Sequence, residues 1–423
     1  MTAMALFLLG LLSDEVYAIR GARIVTLAGA PIEKGTLVIR DGRISEVGPD
    51  VSVPEGAEVI EAGGLEVYPG IMDAISQLGL TEVSAVPVTN DTLELGDFNP
   101  QIRAATAVHP SSEHIAVARA NGITHAVAAP GSFGDFGGRG GFGIQGQASL
   151  VNLDGWTVEE MAISPSVGMV LRWPSLETRE FDFNTFETRT LKFEDVKKKY
   201  DERVQKLGGW IEDARRYARA VAAGGETDLK LEALARVVTK DLPLLVVADD
   251  ERDIRAAVEF ASGRDLRMAL LSGRDSWKVK DLLREKGVPV ILGPTLALPA
   301  TEDTPYDKPL STASELQAAG VRVIFASFSS ANSRLLPHEV GNAVAFGLPW
   351  DEGLKGITLY PAELFGVADS LGSIEEGKRA NLVVTDGDPL EIQTEVRYVF
   401  INGRRVGLEN KHLRLYEKYR ARP

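Results

Sequence analysis

Between residues 66 and 327 the chain repeats one unit, a short and almost unbroken apolar run followed by a polar or helical stretch. Few folds accommodate that repetition. Runs such as Leu242–Asp249, Arg267–Gly273, Val288–Gly293 and Val321–Ser327 have almost no polar face to show to water. They belong in a sheet covered on both sides, as parallel strands joined by helices are. Glu66–Asp73, Ile123–Ala129, Ala148–Leu153 and Val167–Trp173 precede them and bring the number of strands to eight, which closes a barrel. Helical texture over Asp253–Ala261 and Trp277–Lys286 supplies crossovers, and a longer helical insertion occupies 190–240, before the fifth strand. The predicted class is α/β, with a TIM-like (β/α)8 barrel over residues 65–365.

The two ends of the chain read differently. Thr36–Arg40 and Arg43–Val47 flank Asp41-Gly42, and Asn402-Gly403 follows Val396–Ile401. Both dipeptides suit a two-residue hairpin, because Gly accepts positive φ. Leu371–Gly377 and Ala380–Thr385 read as further strands near the C-terminus. Neither set can bury a face alone, so residues 17–64 and 366–410 are expected to pack together as one composite β-sandwich.

Composition narrows the partners. A net charge of −14 without a Lys/Arg cluster argues against nucleic acid. The absence of cysteine excludes disulfides, thiolate metal sites and cysteine nucleophiles. Within residues 1–16, the run Ala5–Leu12 is too short to span a bilayer but has the length of a signal-peptide core. No Lys or Arg precedes it and no small-x-small site follows it. Export to the periplasm or outside the cell is the expectation, against an apolar leader with no targeting role. No other stretch is long enough for a membrane span.

Three stretches carry a family likeness. They are Val67-Tyr-Pro-Gly-Ile-Met-Asp-Ala-Ile-Ser-Gln-Leu-Gly79, Leu336–Pro349, and Ile357–Gly366 with its continuation through Gly372–Val384 to Asp386-Gly-Asp-Pro389. In this order and spacing the chain resembles the amidohydrolase superfamily, most closely its imidazolonepropionase and dihydroorotase-like branch. The likeness spans Tyr17 to Arg405 and implies the same barrel and composite domain. It also implies hydrolysis of non-peptide C–N bonds by one or two divalent metals that activate a bound water. Such metals are held at the C-terminal ends of the strands by a first-strand His-x-His, histidines after strands five and six, an Asp after strand eight, and often a carboxylated Lys after strand four.

This chain departs from that pattern at each position. Ile75 and Gln77 stand where the first-strand histidines would be, Val247 or Asp249 at strand five, and Ser272 at strand six. Strand eight ends Ala326-Ser-Phe-Ser329 without a carboxylate, and no lysine occurs between Lys34 and Lys192. Of the five histidines, His109 and His114 are expected on different faces of one helix, His125 lies early in strand two, and His412 lies in the tail. That leaves His338 as the one near the barrel mouth. No metal or other cofactor is therefore expected.

Asp73 and Asp249 are the candidates for acid–base work, against the plainer roles of ordering backbone and facing solvent. The expected pocket comprises Ile75, Gln77, Arg172, Val247, Asp249, Ser272, Arg274, Ser327, Phe328 and His338, with Arg172 and Arg274 suited to a ligand carboxylate. The segment Gly131–Gly146 could bring backbone and Phe133, Phe136 and Phe142 against a ligand, or form a plain surface loop. Two readings follow. One is an amidohydrolase relative with altered or residual C–N hydrolysis; the other is a non-catalytic descendant that binds a small molecule or protein in the old pocket. A homo-oligomeric scaffold is a third.

Overall fold

A computed structural model describes residues 15–133, 141–182, 187–221, 226–299 and 301–422. The leader through Asp14 and Phe136 of the glycine-rich segment lie outside them. Strands β1 (Tyr17–Ile24), β2 (Ile32–Arg40), β3 (Arg43–Gly48), β4 (Glu58–Glu61) and β5 (Glu66–Pro69) open the chain. The hairpin between β2 and β3 turns on Asp41 and Gly42, at φ 51° and 76°.

The run expected as one strand from Glu66 splits at Gly70, and β6 (Ile71–Ser76) starts the barrel. A Cβ on Gly70 would lie 2.1 Å from the Thr124 hydroxyl, so only glycine lets the chain pass from one sheet to the other here. Then come α1 (Glu113–Ala120), β7 (Ile123–Ala128), β8 (Gly143–Asn152), α2 (Val158–Met161) and β9 (Ala162–Arg172). A small hairpin, β10 (Arg179–Asp182) and β11 (Glu187–Thr190), leads into α3 (Phe193–Val221) and α4 (Leu229–Val238). These two helices are the expected insertion. Helix α3 buries Leu207, Ile211 and Ala214, one stripe at helical spacing. Asp228 starts α4 by accepting the Lys230 and Leu231 N–H groups.

Regular alternation follows: β12 (Leu244–Ala248), α5 (Glu251–Ser262), β13 (Met268–Ser272), α6 (Lys280–Lys286), β14 (Val290–Leu292), α7 (Lys308–Ala318) and β15 (Val323–Phe325). Helices α8 (Leu336–Ala345), α9 (Trp350–Gly356) and α10 (Leu359–Leu364) return the chain to the first sheet. There β16 (Leu382–Thr385), β17 (Val396–Ile401) and β18 (Arg404–Val406) pair, and α11 (Lys411–Arg420) ends the described chain.

The barrel sheet runs β6-β7-β8-β9-β12-β13-β14-β15, the eight expected strands in sequence order. It departs from a regular (β/α)8 barrel at the third, because β8 is antiparallel to both neighbours. Its last and first strands are joined beyond β15 by Phe328 N–H donating to the Ile75 carbonyl at 2.9 Å. The lumen is apolar and packed, with Met72, Val127, Leu150, Val170, Leu245, Leu271, Ile291 and Ile324 in one cluster.

Strands from both parts of the chain pair in a single eight-stranded sheet rather than two facing ones, along the path β18-β17-β16-β5-β1-β2-β3 with β4 beside β1. The sheet curls enough for Tyr17 and Phe400 to meet edge to face at 5.3 Å. The stretch Leu371–Gly377, expected as a strand, is irregular. Among the described residues no helix is long and apolar enough to cross a membrane.

Candidate functional site

The C-terminal ends of β6, β9, β12, β13 and β15 converge at the barrel mouth, which is where the fold places chemistry. Most of what they present is apolar. Ile75, Val247 and Phe328 are 0%, 5% and 7% exposed and join one cluster with the lumen. The Phe133 ring, from the segment after β7, covers Phe328 at 5.4 Å between centroids. Gln77 is turned aside, its amide donating to the Gly131 carbonyl at 2.8 Å. Phe142 packs edge to face with Phe98 at 5.7 Å, so it does not join Phe133 at the mouth.

One polar group survives beside this apolar floor. Asp249, just past β12, accepts the Ser272 hydroxyl at 2.6 Å and the Arg274 N–H at 3.4 Å, with the Arg274 guanidinium at 3.5 Å. Arg172, at the end of β9, donates to the Ser132 carbonyl. Burial holds its guanidinium below the usual range, and the charge of Asp249 offsets part of that. Four of the expected pocket residues therefore meet. Neither arginine stands apart from protein charge, as a dedicated carboxylate-binding pair would.

Two backbone positions here are strained: Ser272 has φ 69° and Phe328 has φ 51°, both in the left-handed region that side chains with a Cβ avoid. Strain of this kind persists only where the surroundings over-determine it, and it clusters at functional sites.

Asp73 and Ser327 do not belong to this group. Asp73 is fully buried and accepts the Ser327 N–H at 3.0 Å, the Ser327 hydroxyl at 2.5 Å and the Ser333 hydroxyl at 2.7 Å. It fixes the segment between β15 and α8. Burial outweighs those bonds and pushes its carboxyl up to about 6. Asp73 and Asp249, the two carboxylates considered for acid–base work, keep separate hydrogen-bond partners.

His338 also leaves the mouth. It lies on α8 near the Leu390 backbone, because α8 descends the outside of the barrel. His109 precedes α1 and His114 is within it, so the two do not share a helix. His125 is buried at the opposite end of β7, between the Thr124 hydroxyl at 2.6 Å and Asn381 at 3.4 Å, and burial drives its imidazole down to about 3. Among the described residues no three His, Asp or Glu side chains are grouped so as to hold a metal ion. Ile75 and Val247 offer only hydrocarbon, whereas a zinc-like ion needs N or O donors.

The sequence did not single out Asp253, in the first turn of α5. It is 6% exposed, beside Asp250, and burial with that neighbouring charge raises it to about 6.

Comparison with known proteins places these features. A model of the Amidohydrolase family matches residues 157–406. Amidohydrolase tasK of Hapsidospora irregularis is 25% identical over 401 residues, covering 87% of this chain and 39% of that protein, so the chain spans about two fifths of the relative's length. An amidohydrolase from Thermotoga maritima MSB8 superposes with a TM-score of 0.77 at 23% identity, over 92% of this chain and 99% of that one. An adenosine deaminase from Xanthomonas campestris with bound zinc gives 0.53 at 17% identity, over 96% and 97%.

Proposed function

The chain belongs to the amidohydrolase family, and from that premise we propose that it has given up metal-dependent hydrolysis and uses the barrel mouth to bind a small molecule. By the spacing of its motifs we place it with the imidazolonepropionase and dihydroorotase-like members. The observation that carries the reading is the chemistry at the strand ends. Ile75 and Val247 are packed with Phe328 in one buried apolar cluster. None of these side chains can donate to a metal, and the cluster leaves the family's bound water nothing to bind to. We derive no hydrolytic step through a metal.

What remains suits recognition. Arg172, Asp249, Ser272 and Arg274 offer both donors and an acceptor, beside the aromatic surface of Phe133 and Phe328. A ligand with a flat apolar body and a polar amide or carboxyl edge meets both halves. Strained backbone at Ser272 and Phe328 supports a site held for a purpose.

The test is elemental mass spectrometry of protein purified without chelator or histidine tag. The reading expects less than about 0.1 divalent ion per chain and no rise in Tm on adding zinc, as linkage requires of a non-binder. About one tightly held ion per chain would overturn it. We also infer export from Ala5–Leu12. Recovery of the intact, uncleaved chain only from the cytoplasm of its source cells would sink that idea.

A further inference from the structure

Helix α11 is left largely uncovered. None of its ten residues is buried, and a helix this short is marginal in water without something packed on it. Leu415, Tyr416 and Tyr419, three and four apart, share one side and are 38–59% exposed. Arg414 lies on the other side and reaches Glu113 at the start of α1, 3.6 Å away, which turns the apolar side outward. Residues 411–422 hold five Lys and Arg against one Glu, in a chain whose net charge is −14. Lys411 and Lys418 have no ion pair among the described residues.

A surface of the opposite character lies beside this helix. Segment 81–97 leaves β6 at the barrel mouth and contains Glu82, Asp91, Glu94 and Asp97 without any Lys or Arg. Val88 and Leu95 are 91% and 96% exposed, with Val83, Val86 and Leu93 about half exposed around them. Exposed apolar side chains gathered in this way mark an interaction surface. Lys206 answers Asp97 at 3.4 Å, while Asp91 and Glu94 have no ion pair among the described residues. The start of α1 joins the two features. Its His114 ring donates to the Glu82 carbonyl at 2.9 Å, next to the Glu113 that holds Arg414. The basic helix and the acidic segment therefore share one side of the molecule.

We propose that the chain forms a two-fold dimer in which α11 of each copy packs on segment 81–97 of the other. Adjacent surfaces of opposite charge complement each other across a two-fold axis, and the contact closes at two copies. Reciprocity also doubles the area, which one ten-residue helix alone could not bring to the ~800 Å² per partner of a stable interface. Pairing α11 with α11 would oppose like charges. An anionic lipid surface fits less well, because Asp91 and Glu94 on the same side would be repelled by it. The dimer sets the helix of one copy on the rim of the other's barrel mouth, since the Thr92 carbonyl of the segment accepts the Gly131 N–H at 2.7 Å, two residues before Phe133.

The experiment is sedimentation velocity of the whole chain from about 1 to 100 µM. Wild type should dimerise within that range and dissociate more readily in about 0.5 M NaCl. The paired variant Lys411→Glu, Lys418→Glu should weaken the dimer about tenfold or more, and so should Asp91→Lys, Glu94→Lys, because each sets like charges together at both contacts. Mixing the two variants should restore a dimer of wild-type strength, since both contacts are then complementary again; a structural effect of either pair would not be repaired by mixing. All four positions are exposed, and Tm reports whether each variant is folded. A monomer at every concentration overturns the proposal, as does a dimer indifferent to both pairs or a mixture no tighter than its components. Co-sedimentation of monomeric wild type with phosphatidylglycerol vesicles, and not with phosphatidylcholine vesicles, would assign α11 to an anionic lipid surface instead.

Discussion

Asp73 is the residue whose replacement separates frame from chemistry. Its carboxylate is fully buried, with Ser327 and Ser333 as hydrogen-bond donors. Burial dominates, and its pKa rises from 3.8 to about 6. The folded state therefore holds this proton more tightly than the unfolded chain does. The contribution of Asp73 to stability is greatest below about pH 4, declines as pH rises toward 6, and is flat above. A rise of that size is worth about 3 kcal/mol. In Asp73→Asn the side-chain oxygen can still accept the Ser327 N–H, and the amide donates to serine oxygens whose hydroxyls rotate to suit. No charge is buried. Urea unfolding should then show Asp73→Asn gaining about 3 kcal/mol relative to wild type between pH 4 and pH 7.5. Groups titrating elsewhere cancel in that difference. Asp73→Ala does not titrate either, so its cost of about 2–4 kcal/mol at pH 4, where it leaves buried donors without an acceptor, should shrink by the same ~3 kcal/mol by pH 7.5. A wild-type to Asp73→Asn difference that does not change with pH would refute the reasoning, since Asp73 would then carry its charge at no cost.

His125 should act with the opposite sign. Its folded pKa of about 3 lies below the ordinary 6.5, so the unfolded chain takes the proton first. Wild-type stability should fall by up to roughly 1.4 kcal/mol per pH unit below 6.5, and His125→Gln should flatten that slope in the same urea series. Removing Asp249 strands Arg172 without its neighbouring carboxylate; Asp249→Ala should cost about 2 kcal/mol, less than a fully buried pair because Asp249 is partly exposed. A loss under about 0.5 kcal/mol would mean that solvent already screens the pair. The triple variant Ile75→His, Gln77→His, Val247→His should be destabilised without metal, since imidazoles would enter an apolar cluster, and zinc should restore its Tm. If zinc leaves the triple variant unchanged, these positions do not correspond to the family's ligand sites.

The eight barrel strands were legible because a strand buried on both faces leaves an unbroken apolar run whatever lies around it. Direction was not legible, since parallel and antiparallel buried strands read alike. The apolar runs Ala148–Leu153 and Val167–Trp173 leave room for a crossover, and only the folded bounds show that nine residues separate Asn152 from Ala162, too few for parallel neighbours. The split at Gly70 was hidden because Glu66–Ser76 is apolar on both sides of it; its cause is the approach of Thr124, a contact more than fifty residues away. The same limit applies at the mouth. Arg172, Asp249, Ser272 and Arg274 could each be named from strand ends, but that Ser272 and Arg274 bind one carboxylate whose charge also reaches Arg172 is a tertiary fact. His338 was misplaced because the path from β15 to α8 depends on Asp73, which draws Ser327 and Ser333 to the outside of β6.

That last contact accounts for part of the family likeness without reference to any ligand. Within Pro69-Gly-Ile-Met-Asp-Ala-Ile-Ser-Gln77 the retained residues are those that build the frame. Gly70 lets β5 pass into β6, and Asp73 ties the first barrel strand to the segment after the last. Substituting either disturbs packing whether or not any reaction is catalysed. Ile75 sits two residues further along and has a free choice only if nothing must be coordinated. At that buried position an apolar side chain is the stable occupant, because a buried polar group without a partner costs about 1–3 kcal/mol. The same logic applies at Val247, which packs on the same cluster. The motif is therefore evidence of how the barrel is closed, and the side chains at 75, 77, 247 and 272 are the evidence for what it does.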